Sequence, residues 1–359
     1  MELGGEFYLD LHTLSEKNHS VDAYLSGEQP LYFDSGRSAL RFAARSLRPG
    51  TILLPEYICD SVITAFSGHA LCFYRLTPSL EIDMDDLLSK LNGEVSAVFL
   101  MHYFGAVQPR AILEQLEAAR LRYGFSIVED TTHSVFSVRR TIGDLCVCSL
   151  RKWFALPGGG ALYGPALADR DSFSLLPRKM DDRRACGMVC KSLFLDGTLD
   201  CNAEYLNIFR ETEDALDAQT ELYRISDFSR FLLRTVDADA LAVRRRHNYA
   251  RLKDALAQLG VPPICRIAED ACPLILPIRV KDRDALRRRL MDHRIYCAVH
   301  WPFGGVQADD RPLAQTLTAQ MLSLPIDQIH PSPFQARKSF DEQELTALAQ
   351  SIRENGLLQ

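Results

Sequence analysis

The sequence predicts an α/β protein, with a mainly parallel sheet covered by helices on both faces and a smaller α/β region toward the C-terminus. Three observations predict it. Between residues 51 and 129, apolar runs of strand length alternate with amphipathic stretches of helical period, the pattern of successive βαβ units. Some of those runs, such as Val95-Ser96-Ala97-Val98-Phe99-Leu100-Met101, are apolar almost throughout, as strands covered on both faces must be. After Gly260-Val261-Pro262-Pro263 the order changes to strand, helix, strand, which marks a separate small domain.

Taken in order, residues 1–30 are mixed and weakly periodic and read as an N-terminal arm. Asp34-Ser35-Gly36-Arg37-Ser38 then leads into a helix over 39–47. Small and hydroxyl residues before a helix leave free N–H groups and the positive end of the dipole facing outward, an anion site suited to a phosphate. Alone, Ser35 reads as a plain N-cap. Strands follow over 51–54, 71–76, 95–102 and 125–129, with helices over 57–67, 83–91 and 111–123 between them, and a further strand over 145–150. Residues 165–235 carry the basic pairs Arg178-Lys179 and Arg183-Arg184, with helices between 204 and 233. An amphipathic helix over 237–259 contains Arg244-Arg245-Arg246, read as a solvated face. Strand 273–280, helix 282–293 and strand 295–299 complete the small region. The domains expected are an arm at 1–30, a large domain at 31–235, a small domain at 236–328 and a distinct segment at 329–359.

Composition narrows the function classes. Hydrophobic content of 47% and charged content of 25% over 359 residues suit a globular protein of one large and one small domain. A net charge of −6 gives no footprint for nucleic acid. No apolar run approaches the length of a membrane span, and no basic-then-apolar leader opens the chain, so a cytoplasmic protein is expected. Ten cysteines occur without a C-x-x-C pair, so no metal site is expected and the thiols read as reduced. Cys146 and Cys148, two apart on a strand, fall on one face.

Chemistry concentrates at two strand ends. One run ends in Glu129-Asp130-Thr131-Thr132-His133; the next ends in Ser149-Leu150-Arg151-Lys152, ahead of Gly158-Gly159-Gly160. In such sheets ligands collect at the carboxyl ends of strands, where His102-Tyr103-Phe104-Gly105 also falls. An acid and a lysine so placed are what pyridoxal phosphate (PLP) requires: the lysine bonds the cofactor and the acid keeps the ring nitrogen protonated. Taken singly, Asp130 reads as a helix cap and Lys152 as a surface charge.

Together these residues resemble the DegT-type sugar aminotransferases, PLP enzymes with the aspartate aminotransferase fold. The likeness spans residues 33–328 and rests on Ser35-Gly36-Arg37-Ser38-Ala39-Leu40, Leu53-Leu54-Pro55, His102 to Gly105, Glu129 to His133, Ile142-Gly143-Asp144, Ser149 to Lys152, Arg244 to Tyr249 and Leu322-Ser323-Leu324-Pro325. The resemblance implies a seven-stranded, mainly parallel sheet and a homodimer. It makes Lys152 the cofactor-bonding lysine and proton shuttle, and Asp130 the partner of the ring nitrogen. His133 falls near the ring's phenolic oxygen, while Gly36, Arg37 and Ser38 hold the phosphate with Ser149. Where the family stacks an aromatic on the ring, Cys59 aligns by count and Tyr57 lies nearby. Arg37 stands in place of a threonine, and Ser149 and Lys152 lie two residues closer than is usual. Arg224 aligns with the asparagine that reaches the partner subunit's phosphate. The activity implied is amino transfer, usually from glutamate, to a nucleotide-linked keto-sugar for glycan or polysaccharide precursors. The short Ser149–Lys152 segment leaves open a non-sugar substrate or different PLP chemistry.

From Ile329 the sequence changes character. Ile329-His330-Pro331-Ser332-Pro333-Phe334-Gln335, then Phe340-Asp341-Glu342-Gln343-Glu344-Leu345, resembles the opening of a ParB-type partitioning domain. Both families use a Leu-Pro-Ile-Asp-like segment, here Leu324 to Asp327, which reads either as the seam of a fusion, a frame-shifted gene or an assembly artefact, or as the lead into an ordinary C-terminal helix packed on the small domain. The nucleotide- and DNA-binding motifs of such a domain do not follow, so no DNA function is carried over, and a non-enzymatic role in DNA partitioning or regulation stays open on the tail alone.

Overall fold

Seven strands build the main sheet of the computed structural model, which describes residues 2–11, 14–137, 140–167, 180–301 and 311–326. They are β2 (Leu31–Phe33), β3 (Thr51–Pro55), β4 (Ala70–Tyr74), β5 (Val95–Met101), β6 (Ser126–Asp130), β7 (Leu145–Ser149) and β8 (Gly160–Tyr163), in the order β2-β8-β7-β6-β5-β3-β4. Only β8 runs against the others, being antiparallel to both β2 and β7. The expectation of a mainly parallel, seven-stranded α/β sheet is met. Every residue of β5 is buried, as its continuous apolar run requires.

Period-two alternation sorts the strand residues between two cores. Leu145 and Val147 join the core containing α2 (Gly36–Arg45), α3 (Asp60–Ala65) and α5 (Arg110–Tyr123). Cys146 and Cys148 join the other, with Trp153, Tyr205, Phe209 and Leu232, so the two cysteines share a face. That second core rests on α6 (Met180–Leu195), α7 (Asn202–Asp217) and α8 (Asp227–Thr235).

The C-terminal region has a third core. Tyr249, Leu252 and Leu256 of α9 (Ala238–Gln258) pack with β9 (Leu276–Arg279), α10 (Arg283–Asp292) and β11 (Met321–Leu324). β9 and β11 are antiparallel, while β10 (Ile295–Tyr296) pairs in parallel with β1 (Leu3–Gly4) from the N-terminal arm. Two elements are shorter than the sequence suggests. The helix expected over 57–67 shrinks to α3, because Tyr57 is packed away against Tyr103 and Trp301. Beyond β10, Ala298 makes only an isolated bridge with Ser323.

One reading needs correction. Arg245 is not on a solvated face; it is 2% exposed, donates from Nε to Pro273 O at 2.9 Å and from Nη2 to Leu274 O, and lies over the Trp153 ring. It therefore ties α9 to the segment entering β9. The segment 329–359 lies outside the described residues. Among the described residues no helix is long and apolar enough to cross a membrane.

Candidate active site

The strand ends converge on a cavity of about 730 Å³, within the range of small-ligand sites. Asp130 enters it from the end of β6 and Lys152 from the single 3₁₀ turn that follows β7. The two strands are adjacent and parallel, which is why an acid and a lysine 22 residues apart in sequence share one pocket. The loop between them is tied down. Ser149 N donates to Thr132 Oγ1 at 2.9 Å, and the Trp153 indole donates to Thr132 O at 2.7 Å. Thr131 N donates to Val147 O at 2.9 Å.

Asp130 is buried and accepts from Thr132 N at 2.8 Å. Burial raises its carboxyl pKa, opposed by the Thr132 hydrogen bonds and by the charge of Lys152. Among the described residues it forms no ion pair. Behind it His102 and Glu129 form a buried pair at 3.1 Å, with Gln108 N donating to His102 Nδ1 and Ile142 N and Gly143 N donating to Glu129. Those bonds assign the imidazole proton to Nε2. Lys152 itself is exposed to the open cavity.

His133 is buried in a cluster with Phe104, at 5.1 Å, and Trp301, at 5.7 Å between ring centroids, its ring nearly parallel to both. Its Nδ1 is buried with no hydrogen-bond partner among the described residues. Burial, then the neighbouring His300 and Lys152, holds it well below the usual histidine pKa.

The N-terminus of α2 forms another wall. Ser35 caps it by accepting from Ser38 N at 3.2 Å, and the first turn carries no acidic residue. A Cβ on Gly36 would lie 2.7 Å from Ser149 Cβ, and one on Gly160 would collide with Ser35 O. Glycine at both positions lets the helix terminus approach β7 and β8 closely.

Ser35, Gly36, Arg37, Cys59, Asp130, His133, Ser149 and Lys152 all line this one cavity, while the remaining predicted residues do not. Ser38 is fully buried beneath the cap. Tyr57 is buried outside the cavity, its hydroxyl bonded to His300 O. Cys59 takes the position at the start of α3, its Sγ 2.9 Å from Ser61 Oγ. Arg37 has its terminal nitrogens engaged by Glu213 at 3.1 Å and Asp217 at 2.7 Å. Arg224 is outside the cavity, paired with Asp227 at 2.8 Å.

Sequence reasoning missed several lining residues. Glu6 and Phe7 arrive on the N-terminal arm, Arg184 and Glu213 on α6 and α7, and Arg287 on α10. None carries a local motif; only the tertiary fold assembles them. His300 also lines the cavity, its Nδ1 2.7 Å from Ser323 Oγ. Burial, and secondarily Lys152, lowers its pKa to about 3.

Comparison with solved structures decides the fold. DesV of S. venezuelae superposes with a TM-score of 0.65 at 18% identity, over 98% of this chain and 91% of that one. The PLP form of the putative sugar aminotransferase Spr1654 from Streptococcus pneumoniae gives 0.65 at 14%, over 98% and 92%. A DegT DnrJ EryC1 StrS aminotransferase from Brucella abortus gives 0.61 at 16%, over 93% and 88%. The chain has the PLP-dependent aminotransferase fold. The sequence profile of the ParB N-terminal domain matches residues 312–359. Over 40 residues the chain is 55% identical to a probable chromosome-partitioning protein ParB of Campylobacter jejuni, 11% of this chain and 14% of that protein. The chain thus spans about a seventh of this ParB relative. The matched stretch begins within the aminotransferase fold, since α11 (Pro312–Gln320) and β11 belong to the described cores.

Proposed function

We propose that the protein is a PLP-dependent aminotransferase that passes an amino group, from glutamate, to a keto-sugar carried on a nucleotide. The observation that carries this reading is that Asp130, His133, Ser149, Lys152 and the α2 terminus line one cavity. Two features of the cavity fit the cofactor. A buried carboxyl without an ion-pair partner suits a protonated ring nitrogen, which offsets its burial. A glycine-bearing helix terminus with no acid in its first turn suits a phosphate.

Bound there, PLP supplies an electron sink that weakens the bonds at the substrate's amine-bearing carbon. Lys152 would hold the cofactor covalently and would serve as the base that moves the proton at that carbon. Asp130 keeps the ring nitrogen protonated. His133, neutral because it is buried, would stand near the cofactor's phenolic oxygen and could offer it the ring nitrogen that has no partner among the described residues. The phosphate is held by backbone N–H groups of Gly36 and Arg37 with Ser149. The Arg37 guanidinium is already engaged by Glu213 and Asp217, so it is the backbone N–H of Arg37 that would be offered to the phosphate.

In this reading residues 31–235 hold the cofactor and 236–328 close the substrate side. The working form is a cytoplasmic homodimer, in which Arg224, outside its own chain's cavity, serves the partner's site. All ten cysteines are free, consistent with a reducing compartment. The test is amino transfer from ¹⁵N-glutamate to a panel of nucleotide-linked keto-sugars, followed by mass spectrometry. Label in an amino-sugar product is the expected result. A PLP-loaded protein that deaminates glutamate yet labels no keto-sugar would overturn the acceptor assignment.

A further inference from the structure

Four arginines line the cavity: Arg37, Arg151, Arg184 and Arg287. Three of them are neutralised. Arg37 meets Glu213 at 3.1 Å and Asp217 at 2.7 Å. Arg151 meets Glu213 at 2.8 Å, and Arg184 meets Glu6 at 2.7 Å and Glu213 at 3.3 Å. Three guanidinium groups against three carboxylates leave that wall without net charge, and an incoming anion would have to displace a carboxylate to bind there.

Arg287 is different. Its Nε donates to Cys297 O at 3.2 Å, and Cys297 itself lines the cavity. That bond anchors the guanidinium plane at the wall and leaves both terminal nitrogens without a partner among the described residues. The nearest acid in its own helix turn, Asp284, is paired with Arg283 at 2.6 Å. The next two basic residues, Arg288 and Arg289, line a separate depression instead. A guanidinium held through one nitrogen presents its remaining N–H groups as a planar fork, the geometry that matches an oxyanion.

We propose that Arg287 binds an oxyanion of the substrate, a carboxylate or a phosphate, at the C-terminal wall of the cavity. The assignment rests on the aminotransferase reading and adds a substrate-recognition residue to it. The carboxylate would come from the amino donor, the phosphate from a nucleotide-linked acceptor.

The experiment uses the full-length protein loaded with PLP. Affinities for glutarate, which lacks the amine, and for inorganic pyrophosphate are measured by titration calorimetry. The proteins compared are wild type, Arg287→Gln, Arg287→Lys and Arg288→Gln. Removing a charge-assisted hydrogen-bond donor should weaken at least one probe by about 10- to 100-fold in Arg287→Gln. Arg287→Lys should fall between that and wild type, and Arg288→Gln should match wild type. Weakening of glutarate alone assigns the site to the amino donor; weakening of pyrophosphate alone assigns it to the acceptor. Unchanged affinity for both probes, equal weakening in Arg288→Gln, or no binding of either probe by wild type would overturn the proposal. PLP affinity is read from the visible absorption of the same samples. Normal PLP binding with unchanged probe affinities would sink the Arg287 assignment and leave the aminotransferase reading standing. Failure to bind PLP with a probe affinity that still depends on Arg287 would do the reverse.

Discussion

Shortening the chain from its C-terminus should separate a protein that folds from one that does not, within the stretch matched by the ParB profile. Ala314, Leu317, Met321, Leu322, Leu324 and Ile326 are each 0% exposed. Burying the five larger side chains at about 1.5–3 kcal/mol each gives roughly 8–15 kcal/mol. A compact unfolded chain would reduce that figure by up to about 40%. Polar contacts add to it: Asn248 Nδ2 donates to Ile326 O at 2.9 Å, Arg283 Nη1 to Met321 O at 3.2 Å, and β11 pairs with β9 along four residues. The total is comparable to the entire stability of an ordinary domain, about 5–15 kcal/mol. A chain ending at Ile326 should therefore unfold cooperatively in urea, followed by circular dichroism, whereas one ending at Arg311 should lack a cooperative transition. If the chain ending at Arg311 unfolded with the same midpoint and slope as the chain ending at Ile326, the assignment of α11 and β11 to this fold would be wrong.

Other predictions concern single side chains. Arg245→Met removes the donors to Pro273 O and Leu274 O and should cost about 2–4 kcal/mol of stability in denaturant titration, while Arg246→Ala should stay within about 0.5 kcal/mol. His300 and His133 are held neutral by burial, with folded pKa values below the ordinary histidine value. Their contribution is thus fully present above pH 6.5 and lost as pH falls toward about 3 for His300. His300→Gln should flatten the slope of unfolding midpoint against pH across that window. Gly36→Ala drives a Cβ to within 2.7 Å of Ser149 Cβ; moving the helix terminus away should weaken PLP binding by about tenfold without loss of the folded state.

The parts of this structure legible in the sequence are those where one local rule prevailed. β5 and β6 were readable because strands buried on both faces must be apolar, and Asp130 and Lys152 because each follows such a run directly. The helices expected between 204 and 233 are present as α7 and α8, but α6 was not readable because this part of the chain buries polar side chains. Asp181, Arg184, Lys191 and Thr212 all sit inside, which blurs the 3.6-residue apolar period. Arg245 was misjudged for a related reason: three consecutive arginines look solvated, yet a helix points successive residues in different directions, and only the middle one meets the carbonyls before β9. Tyr57 was a reasonable ring-stacking candidate by distance along the chain. Its burial against Tyr103 and Trp301 depends on residues 46 and 244 positions away, for which no local pattern exists. The same holds for Glu6, Glu213 and Arg287, brought to the cavity by three separate elements.

The central claim is that Lys152 carries the cofactor. The most direct measurement is to incubate the protein with PLP, reduce it with borohydride and locate the pyridoxyl group by peptide mass spectrometry. The account predicts one modified peptide, containing Lys152, and no stoichiometric modification in Lys152→Ala. An unmodified Lys152, or label spread over other lysines and unaffected by the substitution, would contradict it.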